Sequence, residues 1–404
     1  MNTPTIETER NQALDILRGF AVLGILIMNI QSFAMPGAAY LNPTAYGNPE
    51  GINKWVWVIS HVLADQKFMT IFSILYGAGI VLLTSRAEEK TGKSAGLYYK
   101  RTFWLLIIGL IHAHLIWYGD ILVAYALCAL VFFPLRKMRP SRQLGLGIFL
   151  FSIHSLIYLF FGSTIQYWPP ESIAEMADFW APGIESIQHE MAMVTGTFSQ
   201  QIQHNSSSAI ELETAVFLLL MFWRISGLML IGMSLYNRGF LLAHKTVAHY
   251  RKTALIVFPV GLALVIFGVI KNFDADWDLT YSMFLGSQFN YWGSLLISIG
   301  YISLIMLLAK SSVFSSLKDR LAAVGQMALT NYISQSIIGA LLFFGIGFSL
   351  FGQVERWMQV VIVLAVWTLQ LIWSKPWLNS YRFGPLEWVW RSLTYGKKQP
   401  LRKK

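Results

Sequence analysis

Ten long apolar runs decide what this chain can fold into. Each run approaches or exceeds the roughly 20 residues that an α-helix needs to cross a bilayer. Only 13% of the 404 residues are charged and 55% are apolar, whereas a soluble domain carries about 25% charged residues. The sequence therefore predicts an all-α polytopic membrane protein with about ten transmembrane helices, over residues 13–33, 55–84, 101–118, 120–136, 143–162, 211–235, 253–271, 288–309, 323–346 and 351–374.

The net charge of +10 is distributed according to the side of the membrane. Lys and Arg residues cluster in the connections 85–100, 136–142, 236–252 and 310–322, while the alternate connections carry almost none. Cytoplasmic loops of membrane proteins are the ones enriched in Lys and Arg. We therefore expect both termini in the cytoplasm, the lipid bilayer as the surrounding medium, and no nucleic-acid partner.

One long connection, residues 163–210, divides the predicted helices into two groups of five. It contains no Lys or Arg, and it holds several acidic residues. The apolar spacing from Ser172 to Phe198 indicates one or two surface helices, and the polar run at 205–208 closes the connection. The division is the one that an inverted repeat requires. The expected units are a first five-helix half (1–162), an extracytoplasmic connection or lid (163–210), a second five-helix half (211–374), and a cytoplasmic interfacial helix with a basic tail (375–404).

Ionisable groups near the outer level of the apolar runs are the first candidate functional residues. Such groups are costly in hydrocarbon unless they face a partner or a cavity. His112, His114 and Asp120 lie at the end of the third run and in the turn after it. His61 and Asn29 belong to the same predicted level. The alternative is a turn at the membrane surface, and it fits His114 better than His112 and Asp120.

A second set of charged residues lies nearer the middle and the predicted inner face. Asp15 and Arg18 are three residues apart, so they share a helix face and can form an ion pair. Lys67 and Arg224 lie well inside apolar runs, where a cation without a partner is costly. Polar residues around Lys67 also interrupt the long second run, which predicts a bend there. The two levels together predict a site that is reached from both faces of the membrane.

No motif of a soluble enzyme is present in the sequence. The one cysteine, Cys128, excludes an intramolecular disulfide and a cysteine-rich metal site, and we expect no metal. The glycines in the run 77–79 fit close helix packing better than phosphate binding.

Three stretches carry a resemblance to a known family. Residues 14–19 read L-D-I-L-R-G, and residues 109–122 read G-L-I-H-A-H-L-I-W-Y-G-D-I-L. The third stretch is G-Q-M-A-L-T-N-Y-I-S-Q-S from Gly325, with F-G-P-L-E-W-V-W-R-S-L-T-Y-G-K from Phe383. Together they resemble the YeiB-like family of bacterial inner-membrane proteins, which carries domain of unknown function 418. The resemblance implies a multi-pass protein of the bacterial cytoplasmic membrane, and it implies no activity.

The opening D-x-L-R-G, followed by Asn29 late in the same run, is also similar to transmembrane acyltransferases such as heparan glucosaminide N-acetyltransferase. Those enzymes pass an acyl group from cytoplasmic acyl-CoA to a sugar on the far side, using an asparagine and a histidine. Asn29 matches the asparagine. Tyr40 occupies the region where the histidine is expected, so His61 or His112 takes that role if the chemistry is shared.

Acyl transfer to a glycan or envelope acceptor is the function that this likeness implies. His112 is then the general base, Asp120 orients it, Asn29 stabilises the oxyanion, and His61 is the alternative base. Acyl-CoA, with acetyl-CoA as the first choice, is the expected co-substrate. Its phosphates and pantetheine arm are expected to contact cations and their partners, namely Arg18, Asp15, Lys67, Arg101 and Arg224.

Two other functions fit the same residues. A proton-coupled secondary transporter also has ten helices, an even division and charges near the midplane, and it would use Lys67, Arg224 and Asp120 as substrate or proton sites. A cell-envelope accessory protein without catalysis is the third reading. The sequence leaves the state of assembly open, including a homodimer.

The asymmetry of the cations generates a test of the topology. A reporter fused after Lys404 and a reporter inserted near Glu185 should lie on opposite sides of the membrane, because Lys and Arg are retained in the cytoplasm. Paired fusions to a fluorescent protein and to a periplasmic phosphatase measure this in cells. Two cytoplasmic reporters would contradict the predicted orientation.

Overall fold

Seventeen α-helices account for most of the chain in this computed structural model, which describes residues 11–403. Short 3₁₀ turns follow α6 and α7, and two π-helical segments, Leu212–Met221 and Thr280–Gly286, lead into α11 and α13. The helices are α1 (Gln12–Ala34), α2 (Ala38–Leu41), α3 (Gly51–Leu63), α4 (Lys67–Thr91), α5 (Ala95–Leu115), α6 (Leu122–Phe132), α7 (Pro140–Thr164), α8 (Pro170–Trp180), α9 (Ile184–Thr195), α10 (Phe198–Glu211), α11 (Phe222–Asn237), α12 (Val247–Asp274), α13 (Ser287–Lys310), α14 (Ser315–Gln326), α15 (Ala328–Phe343), α16 (Arg356–Ser380) and α17 (Pro385–Tyr395).

The predicted class, an all-α polytopic membrane protein, is confirmed. Seven helical units in the described chain are long and apolar enough to cross a membrane, and α15 is apolar but shorter. Two further predicted runs lie on α5 and α6. They miss that criterion because α5 carries two cations and two histidines and α6 has only 11 residues. The seven units are Gln12–Ala34, Gly51–Thr91, Pro140–Tyr167, Phe198–Asn237, Val247–Asp274, Thr280–Lys310 and Arg356–Ser380.

The bend predicted in the second apolar run is confirmed. Helix α3 ends at Leu63 and α4 begins at Lys67. Between them, Gln66 has a φ of 65°, which is a left-handed conformation that ends one helix before the next begins. The ninth predicted run is also divided, at Met327, where α14 gives way to α15, although Met327 has a negative φ of -108°. Both breaks bring polar side chains into the interior of the bundle.

The predicted surface helices of the long connection are present as α8 and α9. A hydrogen bond of 3.0 Å from the backbone N–H of Gly37 to Glu190 Oε1 holds α9 over the end of α1, and burial raises the pKa of Glu190. The polar run at 205–208 does not close the connection, because it lies within α10. Helix α10 continues through the π-helical segment into α11, so this unit is longer than the sequence indicates.

Glycines allow the backbones of neighbouring helices to touch. A Cβ at Gly19 would overlap the carbonyl oxygen of Leu321, and one at Gly325 would overlap the carbonyl oxygen of Asp15. Helices α1 and α14 therefore cross in direct contact, as small residues permit in membrane proteins. The predicted packing role of Gly77 is confirmed by its contact with the backbone of α11, whereas Gly79 lines a cavity.

The crossing of α1 and α14 generates a stability prediction. Gly325→Val should lower the thermal unfolding midpoint of the purified protein, because overpacking costs about 1–3 kcal/mol and the backbone of Asp15 cannot retreat easily. Gly145→Ala is the matched control, since a Cβ at Gly145 meets no atom within 4 Å. Equal midpoints for the two variants would show that the crossing does not limit stability.

Candidate functional site

A cavity of about 380 Å³ lies among α1, α4, α5, α6, α15 and α17. We refer to it as the basic cavity, because cations from four helices line the end at which α1 begins. Its opposite end is lined by apolar and aromatic side chains, among them Ile25, Tyr125 and Tyr332. The cations are Arg18, Arg86, Lys90, Arg101 and Arg391.

Helix α1 forms one wall of the basic cavity. The predicted ion pair is confirmed, since Arg18 Nη1 lies 3.0 Å from Asp15 Oδ1. Both residues line the cavity together with Ile25, which lies two turns further along the same face. Asn29 lies one turn beyond Ile25, and its side chain makes no hydrogen bond to another residue in the described chain. One further turn on, Ser32 Oγ is 3.3 Å from Tyr118 Oη.

Helix α17 closes the cavity at its basic end. The guanidinium of Arg101 lies over the Trp390 ring at 3.5 Å, and Trp390 Nε1 donates to the Arg101 carbonyl at 2.9 Å. Glu387 accepts hydrogen bonds from the backbone N–H groups of Leu329 and Thr330, at 2.7 and 3.1 Å. The carboxylate of Glu387 lies at the N-terminus of α15, where the helix dipole stabilises a negative charge. Burial nevertheless raises the pKa of Glu387. The predicted helix after Gly384 is thus present and docked.

His112 and Asp120 form a buried pair near the apolar end of the cavity. His112 Nδ1 lies 2.7 Å from Asp120 Oδ1, and the two side chains are 1% and 2% exposed. Asp120 Oδ2 also accepts from the backbone N–H of Val123 at 2.8 Å, in the first turn of α6. Gly109 permits α5 to approach the first turn of α6 closely, because a Cβ at Gly109 would lie 2.8 Å from the backbone nitrogen of Val123.

The other nitrogen of His112 has no hydrogen-bond partner among residues 11–403 and is buried. Its ring centroid is 5.2 Å from that of Tyr332, which lines the basic cavity. One side chain therefore separates the pair from the cavity. A histidine held at Nδ1 by a carboxylate keeps Nε2 available to accept a proton, so the arrangement suits a general base.

His114, the neighbouring candidate, does not join this pair. Its Nε2 lies 3.5 Å from Glu213 Oε2, and both side chains are partly exposed. The two histidines are two residues apart on α5, so they project from different faces of that helix. The partial exposure of His114 agrees with the alternative given for it above, a position in a turn at the membrane surface.

Two of the remaining candidates, His61 and Lys67, lie in a second buried centre, which we name the Asp65 cluster. His61 Nδ1 lies 3.2 Å from Asp65 Oδ2, and Asn290 Nδ2 donates to the same oxygen at 2.7 Å. Tyr40 Oη donates to Asp65 Oδ1 at 3.3 Å. Lys67 Nζ donates to the His61 carbonyl at 2.8 Å and to the Asn290 side chain. The cluster consists of Tyr40, His61, Asp65, Lys67 and Asn290.

The basic cavity therefore does not bring all the predicted site residues together, since it leaves out Lys67, Arg224 and His61. Lys67 and Arg224 do not line the basic cavity with Arg18 and Arg101, because Lys67 is engaged by Asn290 from α13. Among residues 11–403, no group of three or more His, Cys, Asp or Glu residues is arranged to hold a metal ion.

Sequence reasoning missed several residues that the structure brings together. Asp65 could have been found, because it lies four residues after His61 on a helical run. Tyr332 and Arg391 could not, since they reach the cavity from α15 and α17, far along the chain.

The fold and the site define a multi-pass, all-helical membrane protein with a buried histidine–aspartate pair beside a basic cavity. The family described as "Protein of unknown function (DUF418)" matches residues 235–397. The chain is 32% identical over 396 residues to the uncharacterised protein YeiB of Escherichia coli strain K12, with 96% of each chain covered. It therefore belongs to the YeiB-like DUF418 family, and the predicted resemblance is confirmed.

Two further relatives match over nearly their whole length. The uncharacterised protein YxaH of Bacillus subtilis strain 168 is 29% identical, with 99% of this chain and 98% of that protein covered. An uncharacterised 39.9 kDa protein from the amylase 3′ region of Bacillus acidopullulyticus is 29% identical, with 98% and 97% covered. No solved structure matches the chain significantly.

Proposed function

We propose that the protein is a transmembrane acyltransferase that receives an acyl group from acyl-CoA in the basic cavity and passes it to an acceptor. The observation that carries the proposal is the His112–Asp120 pair. It is buried, its two side chains are 2.7 Å apart, and it lies behind Tyr332 at the apolar end of the cavity. Ionisable groups are costly to bury in a membrane protein, so a buried pair of this kind marks a functional site.

Residues at the basic end suit the CoA moiety of the donor. Its phosphates form charge-assisted hydrogen bonds with Arg and Lys side chains, and Arg18, Arg101 and Arg391 line this end. The apolar part, up to Tyr125, accommodates the pantetheine arm and the thioester. A cavity of about 380 Å³ lies at the low end of ligand sites, which run from about 300 to 1,000 Å³. Its size favours a short acyl group such as acetyl.

The proposed reaction uses His112 as a general base. Asp120 keeps the proton on Nδ1, so Nε2 accepts the proton of the acceptor hydroxyl or amine while that atom attacks the thioester carbonyl. The carbon–sulfur bond then breaks, and the CoA sulfur takes the proton from His112. Asn29, one turn beyond the lining residue Ile25 on α1, supplies amide N–H groups to the oxyanion of the tetrahedral intermediate.

The proposed orientation places the basic cavity on the cytoplasmic side. The connections rich in Lys and Arg lie at the end of the bundle at which α1 begins, and such connections stay in the cytoplasm. Acyl-CoA is then supplied from that side, in the bacterial cytoplasmic membrane. The acceptor, a glycan or another envelope molecule, arrives from the opposite side, past α8 and α9.

A proton-coupled transporter is the second candidate function. The observation that favours it is the Asp65 cluster, where a carboxylate and an ammonium that do not line the basic cavity are buried together. Such intramembrane pairs mark proton and substrate pathways in transporters. In this reading His112 and Asp120 form a proton relay, and no acylated product is formed.

The donor part of the proposal predicts the behaviour of Arg18. Arg18→Ala should weaken CoA binding about tenfold or more, because a hydrogen bond to a charged group contributes about 1.5–3 kcal/mol. Isothermal titration of the purified protein with CoA measures this. Arg251→Ala is the control, since Arg251 is exposed on α12 and does not line the cavity. Unchanged CoA affinity in folded Arg18→Ala protein would show that Arg18 does not bind CoA and serves only in its ion pair with Asp15.

The catalytic part predicts that His112→Ala lowers acyl transfer about a hundredfold or more with little change in CoA binding. Asp120→Asn should cost less, because Asp120 only positions the base. His114→Ala is the matched control and should keep its activity, since His114 contacts Glu213. The assay is thiol release and acceptor modification in liposomes with acyl-CoA inside and a glycan acceptor outside.

This assay also separates the two candidate functions. If the wild-type protein neither releases CoA thiol nor modifies the acceptor, and instead dissipates a solute gradient, the acyltransferase proposal is wrong. His112→Ala should then alter the pH dependence of uptake.

A further inference from the structure

Arg224 is a buried charged residue that has no part in the proposed reaction. Arg224 is 7% exposed and lies in the first turn of α11, directly after the π-helical segment Leu212–Met221. Segments of π-helix are rare and occur often at functional sites. The guanidinium carbon lies 5.1 Å from the centre of the Tyr291 ring, which supports one face of the group.

One edge of this guanidinium is unoccupied. Nε and Nη2 are both buried, and neither has a hydrogen-bond partner in the described part of the chain. These two nitrogens present parallel N–H donors, which is the fork that binds two oxygens of one carboxylate or phosphate group. By contrast, Arg356 is also buried and its Nε has no partner in the described chain, but its Nη2 donates to the carbonyls of Pro43 and Tyr46, so half of its fork is used.

The charges around Arg224 leave a positive excess. Arg224 lies beside the Asp65 cluster, because the Tyr291 ring next to its guanidinium belongs to the residue after Asn290, which binds both Asp65 and Lys67. Asp65 already accepts hydrogen bonds from Asn290 and Tyr40 and lies beside His61. This region of the bundle therefore holds two cations and one carboxylate that is already engaged. An uncompensated buried cation is costly, and one added negative charge would balance the site.

The geometry points to a buried oxyanion site at Arg224, which binds a group with two equivalent oxygens and one negative charge. A phosphodiester or a carboxylate has this chemistry, whether on a lipid headgroup or on a soluble molecule. If acyl transfer is the function, the oxyanion belongs to the acceptor, and that assignment alone rests on the proposed function.

Binding to the full-length protein in nanodiscs tests the site. Dimethyl phosphate and sodium acetate are the soluble probes, compared with sodium chloride at equal ionic strength by thermal unfolding. Phosphatidylglycerol in phosphatidylcholine nanodiscs is the lipid probe, and native mass spectrometry measures its retention. Arg224→Gln removes the charge, and Arg224→Lys keeps the charge but removes the fork. Arg238→Gln, at the exposed end of α11, is the matched control.

At least one probe should stabilise the wild-type protein and Arg238→Gln, or remain bound to them. The affinity for that probe should fall about tenfold or more in Arg224→Lys, since an ammonium cannot form the fork. A response to the soluble probes indicates a soluble ligand, and a response to phosphatidylglycerol alone indicates a lipid. If Arg224→Gln does not fold, Arg224→Lys decides the outcome. The site is refuted if the wild-type protein binds no probe, or if both Arg224 variants bind as it does.

Thiol release from acyl-CoA is measured separately. A failure of the oxyanion site therefore leaves the acyltransferase proposal standing, and a failure of thiol release leaves the oxyanion site standing.

Discussion

The cost of an unpaired charge in hydrocarbon governs the interior of this protein. A polar group that leaves water without a partner loses several kcal/mol, so each buried ionisable group needs a partner or a cavity. Asp120 holds His112, and Asn290 bridges Asp65 and Lys67. These contacts connect α5 to α6 and α4 to α13, so the polar partners also specify which helices are neighbours.

Close backbone packing supplies the second constraint. Helix α1 packs against α4, α13, α14, α15 and α16, and its contact with α14 depends on Gly19 and Gly325. Both glycines belong to the stretches that carry the family resemblance. Glu387, in the third stretch, docks α17 on the start of α15. These stretches, which are far apart in sequence, therefore all contribute to the walls of one cavity.

The two buried centres differ in how completely their groups are paired. In the first, Asp120 engages only one nitrogen of His112, and the other is left beside the cavity wall. In the second, Asp65 and Lys67 are hydrogen-bonded, while one edge of Arg224 is not. An unsatisfied donor or acceptor at a buried position is costly to maintain. These two incompletely paired side chains are the ones that we propose as the base and as the anion-binding group.

Local spacing by itself determined the helical class, the ion pair of Asp15 and Arg18, and the bend before Lys67. It also determined that His112 and Asp120 meet, because a short turn joins their helices. Each of these depends on residues within about one or two helical turns, where the chain has few alternatives. Only the structure shows where each helix ends, and in residues 11–403 seven helical units meet the length and composition of a span, with α15 apolar but shorter.

The tertiary structure also decided how the candidates divide between two centres. Asp65 and Asn290 are 225 residues apart, and Tyr332 and Arg391 reach the basic cavity from the far end of the chain. Lys67 and Arg224, which the sequence suggested for the donor site, lie elsewhere for the same reason. In a bilayer, which helices become neighbours depends on small-residue packing and buried polar contacts. Hydropathy, which reveals the helices themselves, contains no information about those contacts.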